Sequence, residues 1–146
     1  MKNHGQGPTV MNTVRLLLML ALLSPLTALT GCTSAEGEWL RLDADAFEQA
    51  IETEETAFLL DTRTQAEWEQ DGYLANATLI PHDALEERED ELPEDKSTII
   101  LLYCRSGNRS QAAAQTLLDL GYTDVRDLET GIKGWKDAGY NVEYDA

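Results

Sequence analysis

The sequence predicts one α/β domain built on a mostly parallel sheet with helices on both faces. Three observations lead there. Apolar runs of strand length alternate with stretches of helical spacing along residues 39–138. Two of those runs, 57–60 (Ala-Phe-Leu-Leu) and 98–103 (Thr-Ile-Ile-Leu-Leu-Tyr), are continuous rather than alternating, as in strands buried on both faces. The chain has 146 residues, one domain's length. Alternation of this kind builds right-handed βαβ units.

Each element has a local signal. Residues 39–42 (Trp-Leu-Arg-Leu) alternate as a short first strand. Asp43 or Asp45 caps a helix running to about Ile51. The second strand, 57–60, ends at Asp61. Residues 64–70 have helical spacing, and Asp71-Gly72 turns the chain. A short strand at 77–80 stops at Pro81. Residues 85–95 carry many acids, with Pro93 near their end, and read as a solvated helix face and loop. Residues 98–103 are the strongest strand. A helix begins near Ser110 and runs through Ala112, Ala113, Ala114, Leu117 and Leu118, and Gly121 ends it in a left-handed C-cap. Residues 125–128 give the last strand and 131–138 the last helix, before Gly139. Trp135 belongs in the core, and Trp68 there or partly exposed.

Composition excludes several functions. Eleven Lys+Arg stand against 27 Asp+Glu, a net charge of −16. Such a chain offers no basic surface to neutralise phosphates, so nucleic acid is not an expected partner. Apolar residues make up 42% of the chain, too many for a disordered acidic tail. Two cysteines support neither a disulfide framework nor a four-ligand zinc site. His82 is the only histidine after residue 31, so no metal cluster is expected. The absence of a G-x-G-x-x-G or P-loop motif argues against a nucleotide, and no cofactor is expected.

Residues 1–31 read as an address rather than a fold. Lys2 and Arg15 are their only Lys/Arg, and they contain no acid. The apolar run 16–23 is far shorter than the roughly 20 residues of a spanning helix, as in the apolar region of an export signal. The ending Leu29-Thr30-Gly31-Cys32 resembles a bacterial lipoprotein signal. That resemblance implies cleavage after residue 31, lipidation of Cys32, a tether at 32–37 and a domain at 38–146. It also implies a lipid anchor on the periplasmic face, with Thr33 in place of Asp favouring the outer membrane. The processed chain keeps 11 − 2 = 9 basic residues against 27 acids, a net charge of −18. Cys104 is then the one unmodified thiol, exposed to an oxidising compartment, and it calls for a role.

The segment Cys104-Arg105-Ser106-Gly107-Asn108-Arg109-Ser110 follows the strongest strand and precedes an Ala-rich helix. Ligands of open α/β sheets bind at the carboxyl ends of strands. Gly107 and Asn108 tolerate left-handed backbone angles, so the loop can curl. A curled loop turns successive N–H groups inward as an anion nest, and the helix start adds positive potential. Arg105 and Arg109 add permanent charge, although Arg109 can instead pair with an acid. Together these features lower the Cys104 pKa and make it a nucleophile. Asp61 and Arg63 are chiefly structural. Asp61 can hold the loop backbone or Arg109, and Arg63 and Glu67, four apart, can pair. His82 is not needed as a general base beside a thiolate already held by amides.

This loop, after its apolar strand, resembles the active-site loop of the rhodanese family of sulfurtransferases. Asp61-Thr62-Arg63 with Glu67-Trp68, the run from Gly72 to Pro81, and Gly131 with Trp135 resemble further family segments in order. Three departures are visible: Tyr73 stands for a His, Asn76 for a Gly and Thr130 for a first Gly. The resemblance implies a rhodanese-like three-layer sandwich with about five parallel strands. It also implies covalent sulfur transfer through Cys104. The donor is a small sulfur anion such as thiosulfate or polysulfide, or a persulfide. The acceptor is cyanide or a thiol, including one on a periplasmic protein. Ser106, Gly107, Asn108 and Ser110 contribute the nest, with Arg105 and Arg109 beside the anion. In tyrosine-phosphatase-like sites an Arg follows the Cys after five residues. Here Arg109 follows after four, which makes a smaller nest suited to one sulfur atom.

The lipid anchor is testable directly. Cys32→Ala is expected to leave the leader uncleaved and the chain without acyl groups on gel-shift and mass analysis. A Cys32→Ala chain that is still processed, acylated and membrane-bound contradicts the lipoprotein reading.

Overall fold

A computed structural model describes residues 39–145. The leader 1–31 and the tether 32–37, Cys32 included, lie outside the described residues. Five strands form one sheet in the order β1-β5-β4-β2-β3. They are β1 (Leu40–Leu42), β2 (Phe58–Asp61), β3 (Thr78–Leu79), β4 (Ile100–Tyr103) and β5 (Val125–Leu128). Every strand pairing in this sheet is parallel. The α-helices among the described residues are α1 (Ala44–Thr53), α2 (Gln65–Asp71), α3 (Arg109–Asp119) and α4 (Gly131–Asp137).

The continuous apolar runs become the inner strands. β4 is central and buried at every position, because apolar layers cover both of its faces. Ile100 and Leu102 face one layer, shared with Ala113, Ala114 and Leu117 of α3. Leu101 and Tyr103 face the other, shared with Phe47 and Ala50 of α1 and Ile132 and Trp135 of α4. The two alanines let α3 lie close to the sheet. Trp135 is a core residue, as expected of it. The three-layer α/β sandwich is therefore the observed fold.

Caps fix where the helices start and stop. Asp43, not Asp45, caps α1, its carboxylate accepting the Ala46 N–H at 2.8 Å. Asp45 instead accepts the Tyr140 hydroxyl. Thr64 and Glu67 form a reciprocal capping box on α2. Gly121, at φ +95°, follows α3 in the left-handed conformation expected of it. Asn76, at φ +63°, makes the left-handed turn where a Gly is the commoner residue.

One expectation needs correction. Residues 85–95 are not simply a solvated face. Leu85 and Leu92 are buried in the α3-side core, and the buried Tyr122 hydroxyl donates to the Pro93 carbonyl at 2.6 Å. The acids of this stretch face water, those between the anchors around a 3-10 turn at Glu89–Glu91 and Glu94 and Asp95 beyond it. The density of charge conceals two leucines seven positions apart. Leu85→Ala is accordingly expected to cost about 2–5 kcal/mol in denaturant unfolding, the range for truncating a core leucine. A loss within the spread of surface substitutions, about 0.5 kcal/mol, contradicts this placement.

Candidate active site

The site lies at the carboxyl end of the central strand, where β4 gives way to the loop 104–108 and then to α3. The polarity of the loop is set from behind. At the start of α4, the Ile132 N–H donates to the Cys104 carbonyl at 2.9 Å and the Lys133 N–H to the Arg105 carbonyl at 3.2 Å. With the Arg105 carbonyl held by α4, the Ser106 N–H at the other side of that peptide turns toward the thiol. The Gly107 N–H points at Cys104 Sγ, 3.1 Å distant.

Two glycines permit this arrangement. Gly107 has φ +82°, and a Cβ there would lie 1.7 Å from the Glu129 carbonyl oxygen. Gly131 has φ +60°, and a Cβ there would lie 2.5 Å from the Cys104 carbonyl oxygen and the Arg105 carbonyl carbon. Asn108 does not take the left-handed conformation expected of it, having φ −92° and ψ −51°. Gly107 alone bends the loop, and Asn108 already enters the helix. Thr130 likewise adopts a right-handed backbone, so that position needs no glycine.

Cys104 is only 1% exposed and is the one cysteine among the described residues. It is not sealed in apolar packing, since its sulfur meets the Gly107 amide and, at 3.5 Å, the Ser110 hydroxyl. Burial pushes the thiol pKa up. The Ser110 hydroxyl and the amides of Ser110, Ser106 and Gly107 outweigh it, leaving the thiol below its ordinary value. The arrangement favours a thiolate and suits a second sulfur atom carrying the same charge.

The basic residues divide by partner. Arg109, first residue of α3, makes a two-pronged contact with Glu67 of α2, with N···O distances of 2.7 and 2.5 Å. Arg109 thus realises the alternative of pairing with an acid. The Arg105 side chain is 54% exposed, and among the described residues its one ion-pair partner is Asp71, at 3.9 Å. Its charge stands at the rim, facing solvent.

Two expected pairings are corrected. Arg63 does not pair with the Glu67 carboxylate. Its fully buried guanidinium grips Asp61, with NH2 to Oδ2 at 2.6 Å, and donates to the carbonyls of Gly72 and Glu67. Asp61 is thereby occupied, and it holds neither the loop backbone nor Arg109. The reason is reach. A guanidinium two residues from a strand-end carboxylate folds back on it inside the protein, while Glu67 is already the acceptor for Thr64 and Arg109.

Arg41 is a contributor that the sequence reading missed. From edge strand β1 it donates to Asp127 at 3.0 Å and to the carbonyls of Gly107 and Glu129 at 3.1 Å. It clamps the outer side of the loop. The available signal was an acid, Asp127, in the same buried row of β5 as Val125. Trp68, expected in the core or partly exposed, is half-buried and stacks on Tyr73 with ring centroids 3.8 Å apart.

The Arg109–Glu67 contact gives a signed pH prediction. The Arg109 guanidinium pulls the Glu67 carboxyl from its ordinary 4.5 down to about 2. A depressed carboxyl stabilises the fold fully above the unfolded value, and that contribution is lost as pH falls through the folded one. Glu67→Gln is expected to cost roughly 1–3 kcal/mol in urea unfolding at pH 7, after allowance for partial exposure. The difference from wild type should close between about pH 4.5 and about pH 2. A difference independent of pH contradicts it.

Comparison with known proteins agrees with this geometry. Residues 43–138 match the Rhodanese-like domain family. A sulfurtransferase from Allochromatium vinosum is 36% identical over 101 residues, covering 69% of this chain and 92% of that protein. A putative sulfur carrier protein from Bacillus subtilis, YrkF, is 30% identical over 122 residues, covering 70% of this chain and 64% of that protein. The crystal structure of a rhodanese-related protein from Thermoplasma volcanium superposes with a TM-score of 0.63 at 32% identity, covering 73% of this chain and all but 1% of that one. A Rhodopseudomonas palustris protein described as a possible tyrosine phosphatase superposes equally well, at 27% identity, over 71% of this chain and 84% of that one. The sheet order, the strand-end thiol in its amide cradle and these matches make the chain a member of the rhodanese-like family.

Proposed function

We propose that the chain is a sulfurtransferase working through a persulfide on Cys104. The observation that carries this reading is the convergence of the Gly107 amide on Sγ at 3.1 Å, beside the Ser110 hydroxyl. The Cys104 thiolate attacks the outer sulfur of thiosulfate, a polysulfide or a persulfide. The donor S–S bond breaks, and its electron pair leaves with sulfite or with the shortened sulfide. Cys104 then carries S–S⁻, whose charge rests on the amides of residues 105–110. Cyanide or a thiolate attacks that outer sulfur, takes it as thiocyanate or a new persulfide, and returns the thiolate. No cofactor enters the cycle.

Arg105 is the cation suited to the departing anion, because its charge is exposed at the rim. Arg109 acts through position instead, joining the start of α3 to α2 through Glu67. Asp61 and Arg63 brace the strand end beneath them. The resemblance at Leu29–Cys32 supports placing this activity on a lipid anchor at the periplasmic face of a bacterial membrane.

A second reading is favoured by the likeness to a putative sulfur carrier. In it the chain holds a persulfide for a partner and does not turn over small donors.

Intact-protein mass spectrometry after thiosulfate or polysulfide treatment tests the proposal. Wild type is expected to gain one sulfur atom, about 32 Da, and Cys104→Ser none. Release of thiocyanate over many cycles with cyanide marks the enzyme, and a persulfide that stays in place marks the carrier. A wild type that gains no sulfur, or rapid Cys104-dependent hydrolysis of p-nitrophenyl phosphate, contradicts sulfur transfer.

A further inference from the structure

The outer edge of the sheet reaches the reactive loop through one side chain. Arg41 lies on the edge strand β1, and its guanidinium has three anchors. Nε donates to Asp127 Oδ2 at 3.0 Å, and Nη2 donates to the carbonyls of Gly107 and Glu129, each at 3.1 Å. Asp127 has no solvent exposure, so the fork is fixed to a buried point. The Gly107 carbonyl has a second donor, the side-chain amide of Gln111 on α3, at 2.8 Å.

The peptides of the loop differ in what holds them. The carbonyls of Cys104 and Arg105 are taken by the start of α4. The carbonyl of Gly107 is taken by Arg41 and Gln111. Between them stands the peptide joining Ser106 to Gly107, which carries the N–H that meets Cys104 Sγ at 3.1 Å. Among the described residues, the Ser106 carbonyl of that peptide takes no backbone donor. Its direction is therefore set by its neighbours on either side. On the far side the joint is Gly107 itself, at φ +82°. Glycine has the widest choice of backbone angles, so an unheld Gly107 would let this N–H swing off the sulfur. Its Cα is backed against the Glu129 carbonyl, and a Cβ there would lie 3.0 Å from Arg41 Nη2. Arg41 binds the carbonyls of both residues at once, which ties the glycine to the end of β5.

We propose that Arg41 is a positioning residue for Cys104: together with Gln111 it holds the Gly107 carbonyl, and so keeps the preceding amide aimed at the sulfur. A guanidinium suits the task because its donors form a rigid planar fork. Its charge is answered by Asp127, so it supplies geometry more than potential. The other groups around Sγ are the Ser110 hydroxyl and the amides of Ser106 and Ser110, with Arg109 at longer range, itself held by Glu67. Arg105 stands at the rim, facing solvent. This inference rests on the proposed function only in taking Cys104 as the reacting group.

The test is the pH profile of Cys104 alkylation by iodoacetamide on the full chain. Alkylation reads the thiolate whether or not sulfur is transferred, so this inference and the sulfurtransferase reading fail separately. An amide that turns away no longer favours the thiolate, so Arg41→Met is expected to raise the midpoint by about 1 pH unit. Gln111→Leu changes no charge and should raise it by a smaller step, about 0.3–0.5 pH unit. Leu92→Ala opens the core next to Pro93 and Tyr122, past the far end of α3, and should leave the midpoint in place. A midpoint that stays or falls in Arg41→Met, a rise there with none in Gln111→Leu, or an equal rise in Leu92→Ala overturns the proposal. Should Arg41→Met not fold, because Asp127 is left buried without its cation, Gln111→Leu decides alone. A rise then supports the clamp, and an unmoved midpoint overturns it.

Discussion

The site depends on a division of the loop's backbone between two directions. A peptide that turns its carbonyl one way turns its amide the other. The amides at the start of α4 take the carbonyls of Cys104 and Arg105, which turns the Ser106 N–H toward the thiol, and Gly107, in its left-handed conformation, adds its own N–H to Sγ. The apolar face of α4, through Ile132 and Trp135, holds the helix at that distance from the strand end. The core therefore does more than stabilise the sheet, because it sets the electrostatics of the thiol through a docked helix.

Charge placement follows from the acidic composition. With 27 acids available, most cations near the site have a fixed partner: Arg63 with Asp61, Arg109 with Glu67, Arg41 with Asp127. Each pair ties one element to another or locks a strand end, and little net positive potential is left over. Under the proposed function, anions are drawn by oriented amides and the rim position of Arg105 rather than by a broad basic field.

Much of this was legible in the sequence for physical reasons. Continuous apolar runs announce inner strands because two helix layers exclude water from both faces, and β2 and β4 are where those runs lie. The loop was legible because strand end, cysteine, glycine and helix start must be consecutive to build the cradle. Partners were not. Arg63 has two acids within reach in sequence, Asp61 and Glu67, and only folding decides that the buried one takes the guanidinium. Arg41 and Asp127 are 86 positions apart, and nothing local links an edge-strand arginine to a buried aspartate. Leu85 and Leu92 were hidden by the acids around them, since a count of charge over 85–95 does not record which side of the turn is apolar.

The contact between Gly131 and the backbone of Cys104 and Arg105 has an evolutionary consequence. Lengthening the loop by one residue, the step that separates this spacing from that of tyrosine-phosphatase-like sites, displaces carbonyls that α4 already grips. An insertion alone leaves helix and loop out of register. A change of chemistry on this scaffold requires coordinated remodelling of two segments some 25 residues apart, so divergence along the lineage should proceed by paired rather than single steps.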